Sequence, residues 1–392
     1  MSLHLETAAV CSLNLRSLPQ RFWMSFSTVV AIALVVTVLL AFLAMGTGFR
    51  KTLSGTGAED IALILRKGST GELSSVVTRD EQRVLDEAPG IAKVDGKPLA
   101  SPELYVIVDA IKKSSGTKAN MPLRGIGPNG LALRANASII EGRLFKPGSN
   151  EIVVGRGLLK EFSGFELGKT VRFGVNTWKV VGVFEADGSA FESELWADLP
   201  VIQSLFKRGN TAQTVRARLT SPAALKTLQD YIKSDPRLNV EAQSEKQFYA
   251  EQSKRLSSVI QSLGWPLGIA MALGALSGAL NTMYSSVSAR AGEIRTLRII
   301  GFGSISTFVG TMVEAMVLTA LGALLGIAIT WLFFDGLTAS TIGGSFSQVV
   351  FDFRLSGANI INGFVLAMVV GFLGGLFPAW RAARQKISAI DA

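Results

Sequence analysis

Four long apolar stretches interrupt the chain. Residues 22–49, 256–289 and 355–380 contain no charged residue, and residues 302–334 contain only Glu314. Each stretch exceeds the roughly 20 residues that an α-helix needs to cross a bilayer. Since 48% of the 392 residues are hydrophobic, the pattern predicts an α-helical membrane protein with four transmembrane helices.

Basic residues beside these stretches predict how the spans are oriented. Lys and Arg in short loops stay on the cytoplasmic side of a membrane. Here they stand before the first span and after the second and fourth spans: Arg16, Arg21, Arg290, Arg295, Arg298, Arg381, Arg384 and Lys386. We therefore expect both termini in the cytoplasm and the large segment between the first two spans outside.

That large segment, residues 49–244, alternates between strand-like and helix-like patterns. Period-two alternation and turn residues predict strands at residues 60–65, 101–110, 153–154, 170–173, 178–184, 214–219 and 239–242. Caps and helical periodicity predict helices at residues 78–87 and 223–234. Val175, Asn176 and Thr177 are predicted to form a hairpin turn. The segment is therefore expected to be an α+β domain outside the membrane, with a β-rich insert at about residues 130–208.

The chain becomes helical again at residue 245, before the second span. Apolar residues at i, i+3, i+4 and i+7 predict one stripe on a stalk above the membrane: Leu256, Val259, Ile260 and Leu263. Gly264, Trp265 and Pro266 follow at the expected membrane surface, and a proline inside a helix removes one of its hydrogen bonds. The sequence predicts a hinge in the stalk at this point.

The connector between the second and third spans, residues 290–302, carries four charges. A short charged helix on the cytoplasmic side gives a soluble protein a place to bind. Beyond it, Glu314 lies deep in the third span, where an exposed charge costs about 2.5 to 3.5 kcal/mol. No second acid or histidine lies at that depth, so we expect an ion pair with a cytoplasmic arginine in preference to a proton relay.

Small residues organise the spans. Three pairs have GxxxG spacing, which lets helix backbones approach closely in lipid: Gly274 and Gly278, Gly322 and Gly326, and Gly371 and Gly375. Each pair is compatible with packing inside one chain or with a seam between two copies, and packing inside one chain is the simpler interpretation.

Composition argues against several classes of protein. The net charge of +9 comes mostly from the exported segment, and long exported domains cross the membrane largely regardless of charge, so no nucleic-acid partner is expected. The only cysteine, Cys11, lies in the cytoplasmic tail, so the outer domain is expected to fold without a disulfide.

No catalytic constellation is convincing. The only histidine is His4, which argues against a histidine-based triad or a zinc site outside the membrane. Residues 164–170 have three residues between their glycines, where a phosphate loop needs four. The acidic residues between positions 185 and 194 are interpreted as a solvated edge: Glu185, Asp187, Glu192 and Glu194. The chain is not expected to be an enzyme by itself.

The connector resembles the R-x-x-E-I-x-x-L-R-x-x-G coupling helix of the MacB and FtsX superfamily of ABC transporter permeases. Residues 378–383 resemble the P-A-x-x-A-A end of that family's last span, and residues 141–143 with 150–155 resemble its outer-domain signature. The order of one span, a large outer domain and three further spans is also that of the family. Arg295 departs from the branched residue usual at its position, and residues 387–391 replace the usual Pro-Val-Glu-Ala-Leu run.

The resemblance implies a mechanotransmission permease of the bacterial inner membrane without a cofactor of its own. A separate cytoplasmic ABC ATPase dimer would bind ATP and Mg and contact the coupling residues: Arg290, Glu293, Ile294, Arg295, Leu297, Arg298 and Gly301. The resemblance further implies a second permease copy, identical or different. It leaves open whether a periplasmic adaptor and an outer-membrane channel are also partners.

Three functions remain open on the sequence. The first is an export permease that drives a substrate out of the periplasm or inner membrane. The second is extraction of a lipid or lipoprotein from the outer leaflet, and the third is a signalling permease that transports nothing and activates a periplasmic hydrolase. The large two-part outer domain favours the first two.

The predicted boundaries follow from these patterns. The predicted elements before the connector are an elbow helix at the membrane interface (1–21), the first span (22–48), the outer domain (49–244), and the stalk with the second span (245–289). After them come the coupling helix (290–302), the third span (303–334), an outer loop (335–356), the fourth span (357–380) and a tail (381–392).

Overall fold

A computed structural model describes residues 3–342 and 348–385. Within these ranges the chain divides into two compact units. The membrane unit comprises Met1–Thr47, Val259–Leu337 and Phe353–Ala392, and the αβ unit comprises Gly48–Ser258 and Thr338–Asp352, in both cases for their described residues. The last residues of the predicted tail, from residue 386, lie outside the described part.

The helices follow the predicted order. In chain order they are α1 Leu3–Arg16, α2 Phe22–Ser54, α3 Arg79–Asp86, α4 Arg156–Glu161, α5 Leu199–Leu205, α6 Ala224–Ser234, α7 Glu245–Ala289, α8 Ala291–Ile299, α9 Ser304–Phe333 and α10 Gly357–Ala383.

The strands belong almost entirely to the αβ unit. In chain order they are β1 Ile61–Arg66, β2 Lys93–Val94, β3 Lys97–Pro98, β4 Ala100–Ile111, β5 Lys118–Ile126, β6 Ser138–Gly142, β7 Glu151–Gly155, β8 Thr170–Phe173, β9 Asn176–Glu185, β10 Leu195–Asp198, β11 Thr214–Arg218, β12 Val240–Ser244, β13 Thr338–Ile342 and β14 Gln348–Asp352.

Among the described residues, four helices are long and apolar enough to cross a membrane. They are α2 with the short turn before it, α7, α9 and α10, which confirms the four predicted spans. The helix α2 continues to Ser54, beyond the predicted end at residue 48. The reason is that hydropathy stops at the charged Arg50 and Lys51, whereas helical hydrogen bonding does not depend on burial in lipid.

One mixed sheet forms the frame of the αβ unit. Its strand order among the described residues is β12-β1-β11-β4-β5-β10-β7-β9-β6, with β8 paired to β9. The predicted β-rich insert contains β6 to β10, and its strand β10 pairs in parallel with β5. The insert therefore continues the same sheet. Two apolar clusters support it, one around Trp178 and Leu123 and the other around Ile64 and Leu228.

Two local predictions of the αβ unit are corrected by the structure. The hairpin turn between β8 and β9 consists of Gly174 and Val175, because Phe173 already pairs with Asn176. Gly174 has a φ of 62°, which suits the first position of a two-residue hairpin turn. The predicted loop 335–356 also contains a pair of antiparallel strands, β13 and β14.

Candidate functional site

The connector helix α8 is short and has defined ends. It begins after Arg290 and ends at Ile299, inside the predicted range 290–302. The backbone then turns at Gly301, whose φ of 109° is a conformation that L-residues rarely adopt. A glycine at this position of the coupling motif is therefore required by the turn that leads into α9.

The inner side of α8 is tied to the span α9 through Arg290. This side chain is only 7% exposed, and its Nη1 lies 3.1 Å from Oε2 of Glu314. Its Nη2 donates a hydrogen bond of 2.5 Å to Asn14 of α1, and its Nε lies 3.0 Å from Oε2 of Glu293. Arg290 therefore holds α1, α8 and α9 together.

Glu314 has a second basic partner. Arg21 Nη1 lies 3.6 Å from Glu314 Oε1, and the hydroxyl of Ser286 donates to the same oxygen at 3.3 Å. Arg21 also donates to Ser286 and, at 2.7 Å, to Ser17. The pairing of Glu314 with arginines beside the spans, expected from the sequence, is present, and it compensates a charge that lipid would otherwise penalise.

Two more residues of the coupling motif point inward. Ile294 is buried with Val287 and Ala382. Arg298 donates to the Ser304 hydroxyl at 2.6 Å and to the Ala383 carbonyl at 2.8 Å. The inner side of α8 is thus fixed to α7, α9 and α10.

The outer side of α8 is open. The side chain of Glu293 is 63% exposed, Arg295 is exposed, and Ile299 and Ile300 are 66% and 69% exposed. Leu297 is half-buried. Of the predicted coupling residues, only Glu293 and Arg295 therefore have side chains that are open to solvent. The two exposed isoleucines were not predicted, although adjacent apolar residues beside four charges were a visible signal.

The stalk residues lie on one uninterrupted helix. Pro266 is inside α7, which runs without a break from Glu245 to Ala289. Val259 and Leu263 are exposed by 52% and 65%, and Trp265 by 38%. Ile260 lies next to Gly46 of α2, and Gly264 lies next to Phe42 of the same helix. Of Leu256 only the backbone is described. The hinge near Pro266 stays a prediction.

The three glycine pairs differ in their surroundings. A Cβ on Gly322 would lie 2.8 Å from the carbonyl oxygen of Val29, and one on Gly326 would lie 2.7 Å from that of Ala33, so α9 packs directly on α2. A Cβ on Gly375 would lie 2.7 Å from Ala315, and Gly371 faces Thr319, which joins α10 to α9. In contrast, no described atom lies within 4 Å of a Cβ placed on the third pair, Gly274 and Gly278.

A second set of charges is buried in the αβ unit. Within the described residues it contains three arginines and four glutamates: Arg124, Arg134, Arg216, Glu72, Glu103, Glu194 and Glu245. We call this set the ion network. It links strands β4, β5 and β11, the residue before β10, and the first residue of α7.

The contacts of the ion network are largely bidentate. Arg124 is fully buried and binds Glu72 at 2.7 and 2.9 Å. It also binds Glu194 through two contacts of 2.7 Å. Arg134 binds Glu103 through two contacts of 2.8 Å. Such paired charged hydrogen bonds are stronger and more directional than single neutral ones.

Arg216 connects this arrangement to α7. Its Nε lies 2.8 Å from Glu103 and its Nη2 3.3 Å from Glu72, while its Nη1 contacts Glu245. Aromatic rings cover the guanidinium groups, with Arg134 4.8 Å and Arg216 5.3 Å from the ring of Phe191. Buried charges are tolerated when they are paired in this way.

The electrostatic balance of the network favours ionised glutamates. Burial raises the pKa of Glu103, but attraction to Arg134, Arg216 and Arg124 outweighs burial and lowers the pKa from 4.5 to about 2. For Glu72 burial likewise raises the pKa, but Arg124 and Arg216 together outweigh burial, so that the pKa falls below its ordinary value. Both carboxylates therefore stay charged at neutral pH.

The sequence patterns did not predict the ion network. The interpretation of Glu194 as part of a solvated edge is wrong, because Glu194 is 5% exposed and bound to Arg124. The other members of the acidic cluster are at or near the surface. No alternation marked Arg216, because residues 214–217 of β11 are all buried.

Comparison with known proteins agrees with this architecture. The family model described as MacB-like periplasmic core domain matches residues 25–235, and the model described as FtsX-like permease C-terminal matches residues 267–387. The macrolide export ATP-binding/permease protein MacB of Bdellovibrio bacteriovorus is 24% identical over 399 residues, covering 93% of this chain and 58% of that protein. That of Neisseria meningitidis is 23% identical and covers 94% and 58%.

The chain thus spans 58% of the length of these curated relatives. A solved structure of the periplasmic region of MacB from Actinobacillus actinomycetemcomitans matches 49% of this chain and 92% of its own, with 17% identity and a TM-score of 0.38. Because the first family model alone matches more than half of the chain, and the second matches the remaining spans, the chain belongs to the MacB/FtsX family of permeases.

Proposed function

We propose that this chain is the permease subunit of an ABC transporter. It couples ATP hydrolysis in a cytoplasmic ATPase to movement of the αβ unit, and it drives export of a substrate from the periplasm or the inner membrane. The observation that carries the proposal is the two-sided connector helix α8, whose inner side is fixed to the spans and whose outer side is open.

The open side of α8 has the chemistry of a docking surface. Glu293 and Arg295 supply charges that define register and partner, and Ile299 and Ile300 supply apolar area for a groove. A partner that changes shape between its ATP states can shift α8 only if the free energy of its contacts with α8 differs between those states. Charged contacts in a cleft provide such differences.

The fixed side of α8 makes its displacement useful. Because Arg290 and Arg298 bind groups on α1, α9 and α10, a force on the open side moves the spans together with α8. The continuous helix α7 then passes this movement toward the αβ unit. Its segment from Glu245 to Leu263 alone extends about 28 Å at 1.5 Å per residue.

The assembly follows from the same proposal. The chain lies in the bacterial inner membrane with both termini in the cytoplasm. Two permease copies bind an ATPase dimer, which holds ATP and Mg. The open face at Gly274 and Gly278 is our candidate for the seam between the two copies, since small residues allow close helix packing in lipid.

Reversal of one exposed charge tests the coupling. The ATPase is first identified by co-purification from native membranes and mass spectrometry, and the complex is then reconstituted with Glu293→Lys. We expect loss of the complex and of permease-dependent ATP turnover. Glu166→Lys makes the same charge change at an exposed position of the αβ unit and should change neither. Unchanged assembly and turnover with Glu293→Lys would remove the assignment.

A further inference from the structure

Two helices meet the sheet of the αβ unit at one place, beside the ion network. The helix α2 ends at Ser54, and the chain passes through Gly57 and Ala58 into β1. The helix α7 begins at Glu245, directly after β12. Since β1 pairs with both β11 and β12, α2 leads into the strand next to the sheet edge, and α7 follows the edge strand β12 itself.

Glu245 contacts all three parts of this junction. Its carboxylate forms an ion pair with Arg216 of β11 and accepts a hydrogen bond of 3.3 Å from the backbone N–H of Ala58. Gly57 has a φ of 84°, and a Cβ there would lie 2.7 Å from the Cγ of Glu245. The link after α2 is thus folded closely around this side chain.

Neighbouring contacts reinforce the same junction. One turn along α7, the hydroxyl of Tyr249 accepts a hydrogen bond of 3.2 Å from Arg216, and its ring contacts Phe191 edge-on. Lys246 forms a 2.8 Å ion pair with Glu59. After α2, the hydroxyl of Thr56 accepts a hydrogen bond of 2.8 Å from the backbone of Ala190.

Burial makes this junction stiff. The side chains of Arg216 and Glu245 are 0% and 3% exposed, so no solvent replaces a contact that is lost. Separating α7 from β11 would leave the buried Glu245 carboxylate without its cationic partner and would remove one of the three carboxylate contacts of Arg216. A swivelling joint would instead place exposed or apolar contacts here.

We propose that Glu245 is a positioning residue, a clasp that fixes the start of α7 and the end of α2 to the sheet through Arg216. Movement of α7 is then transmitted to the sheet as a rigid body, and bending occurs elsewhere along the helix. This inference rests on the proposed function for its biological role, but the stiffness of the clasp is measurable in the permease alone.

Spin-label distances test the clasp. In a Cys11→Ser background, labels are placed at exposed positions 230 of α6 and 251 of α7, both in the αβ unit. We expect one narrow distance distribution in the wild type, identical with and without ATP when the ATPase is bound. Glu245→Gln, which removes the charge and keeps the size, should at least double the width of that distribution. Glu241→Gln, at an exposed position of β12, should leave it unchanged.

A second, milder variant tests the same contact if Glu245→Gln folds poorly. Tyr249→Phe removes the hydroxyl contact to Arg216 and keeps the ring, and it should broaden the distribution less than Glu245→Gln. In both variants, complex formation and ATP turnover should stay at wild-type levels while the distance distribution broadens, a separation that a general loss of structure does not produce.

The clasp is refuted by a distance that shifts with ATP in the wild type. It is equally refuted by wild-type widths in both variants. Failure of the ATPase to bind the unmodified permease would instead remove the proposed function, while the widths recorded in the permease alone still decide whether the junction is stiff.

Discussion

Arg290 and Glu314 face each other across 3.1 Å, although one precedes the connector helix and the other lies inside the next span. Both side chains are nearly inaccessible, with exposed fractions of 7% and 3%. The contact turns an acidic residue inside a span into a fixed attachment point for α8. It also explains why the first arginine of the coupling motif does not face a partner.

Removal of Arg290 is predicted to destabilise the membrane unit. Arg290→Ala leaves Glu314 with the more distant Arg21 alone, and breaking a buried pair by removal of one partner costs about 3 to 5 kcal/mol. Thermal unfolding in detergent should therefore shift to lower temperature. Arg295→Ala is the matched control, because Arg295 is exposed and surface changes stay within about 0.5 kcal/mol. Equal unfolding temperatures for the two variants would contradict the prediction.

Substitutions at two of the glycine pairs are predicted to have different effects, one on folding and the other on assembly of two copies. Gly322→Leu should prevent α9 from packing on α2, where a Cβ already meets the carbonyl oxygen of Val29 at 2.8 Å, and should lower expression of folded protein. A Cβ on Gly274 would have no described atom within 4 Å beyond its own helix, so Gly274→Leu should leave the monomer folded. If this face forms the seam between copies, crosslinking of the Gly274→Leu permease should fall while its thermal stability is unchanged. Unchanged crosslinking would show that the seam between copies lies on another face.

Acid is predicted to weaken the αβ unit in a defined window. Folding lowers the pKa of Glu103 from 4.5 to about 2, so the unfolded chain binds protons more readily in this range. Stability from this group is complete above pH 4.5 and is lost as the pH falls toward 2. The protection factors of amides in β4 and β11, measured by mass spectrometry and corrected for the pH dependence of intrinsic exchange, should fall across that interval. Constant protection between pH 5 and pH 2 would show that the network carries no such linkage.

Glu194 and Glu185 provide a contrast between buried and exposed acids. Glu194 binds Arg124 twice at 2.7 Å and accepts a 2.9 Å hydrogen bond from Trp196. Glu194→Ala should therefore cost about 3 to 5 kcal/mol of unfolding free energy, because Arg124 loses a buried partner. Glu185→Ala removes an exposed ion pair with Arg156, which is worth roughly 0 to 1 kcal/mol. Denaturant unfolding of both variants measures the difference, and similar losses would refute it.

Sequence patterns predicted the spans and several helix ends because these depend on local chemistry. The Thr78 cap is an example: its hydroxyl and the Glu81 side chain form the reciprocal capping box that starts α3. Likewise, the predicted stalk and second span match α7 at both ends. Hydropathy and capping need only neighbours within one or two turns.

Sequence patterns failed where distant residues determine the outcome. Arg124 and Glu72 are 52 positions apart and compensate each other only after the sheet has formed, so neither could be recognised as buried. The division of the coupling motif into buried and exposed residues was missed for the same reason. Nothing local distinguishes Arg290, which turns toward Glu314, from Arg295, which faces solvent.

The seam between α2 and α9 has a consequence for biosynthesis. Ile32 and Val36 lie against Gly322 and Gly326, roughly 290 residues later in the chain. At about 5 to 20 residues per second, translation takes roughly 15 to 60 s to deliver α9 after α2 has emerged. During that interval the first helix must remain in the bilayer without its eventual neighbour. The absence of charges from residues 22–49 allows this helix to wait as an independently inserted span.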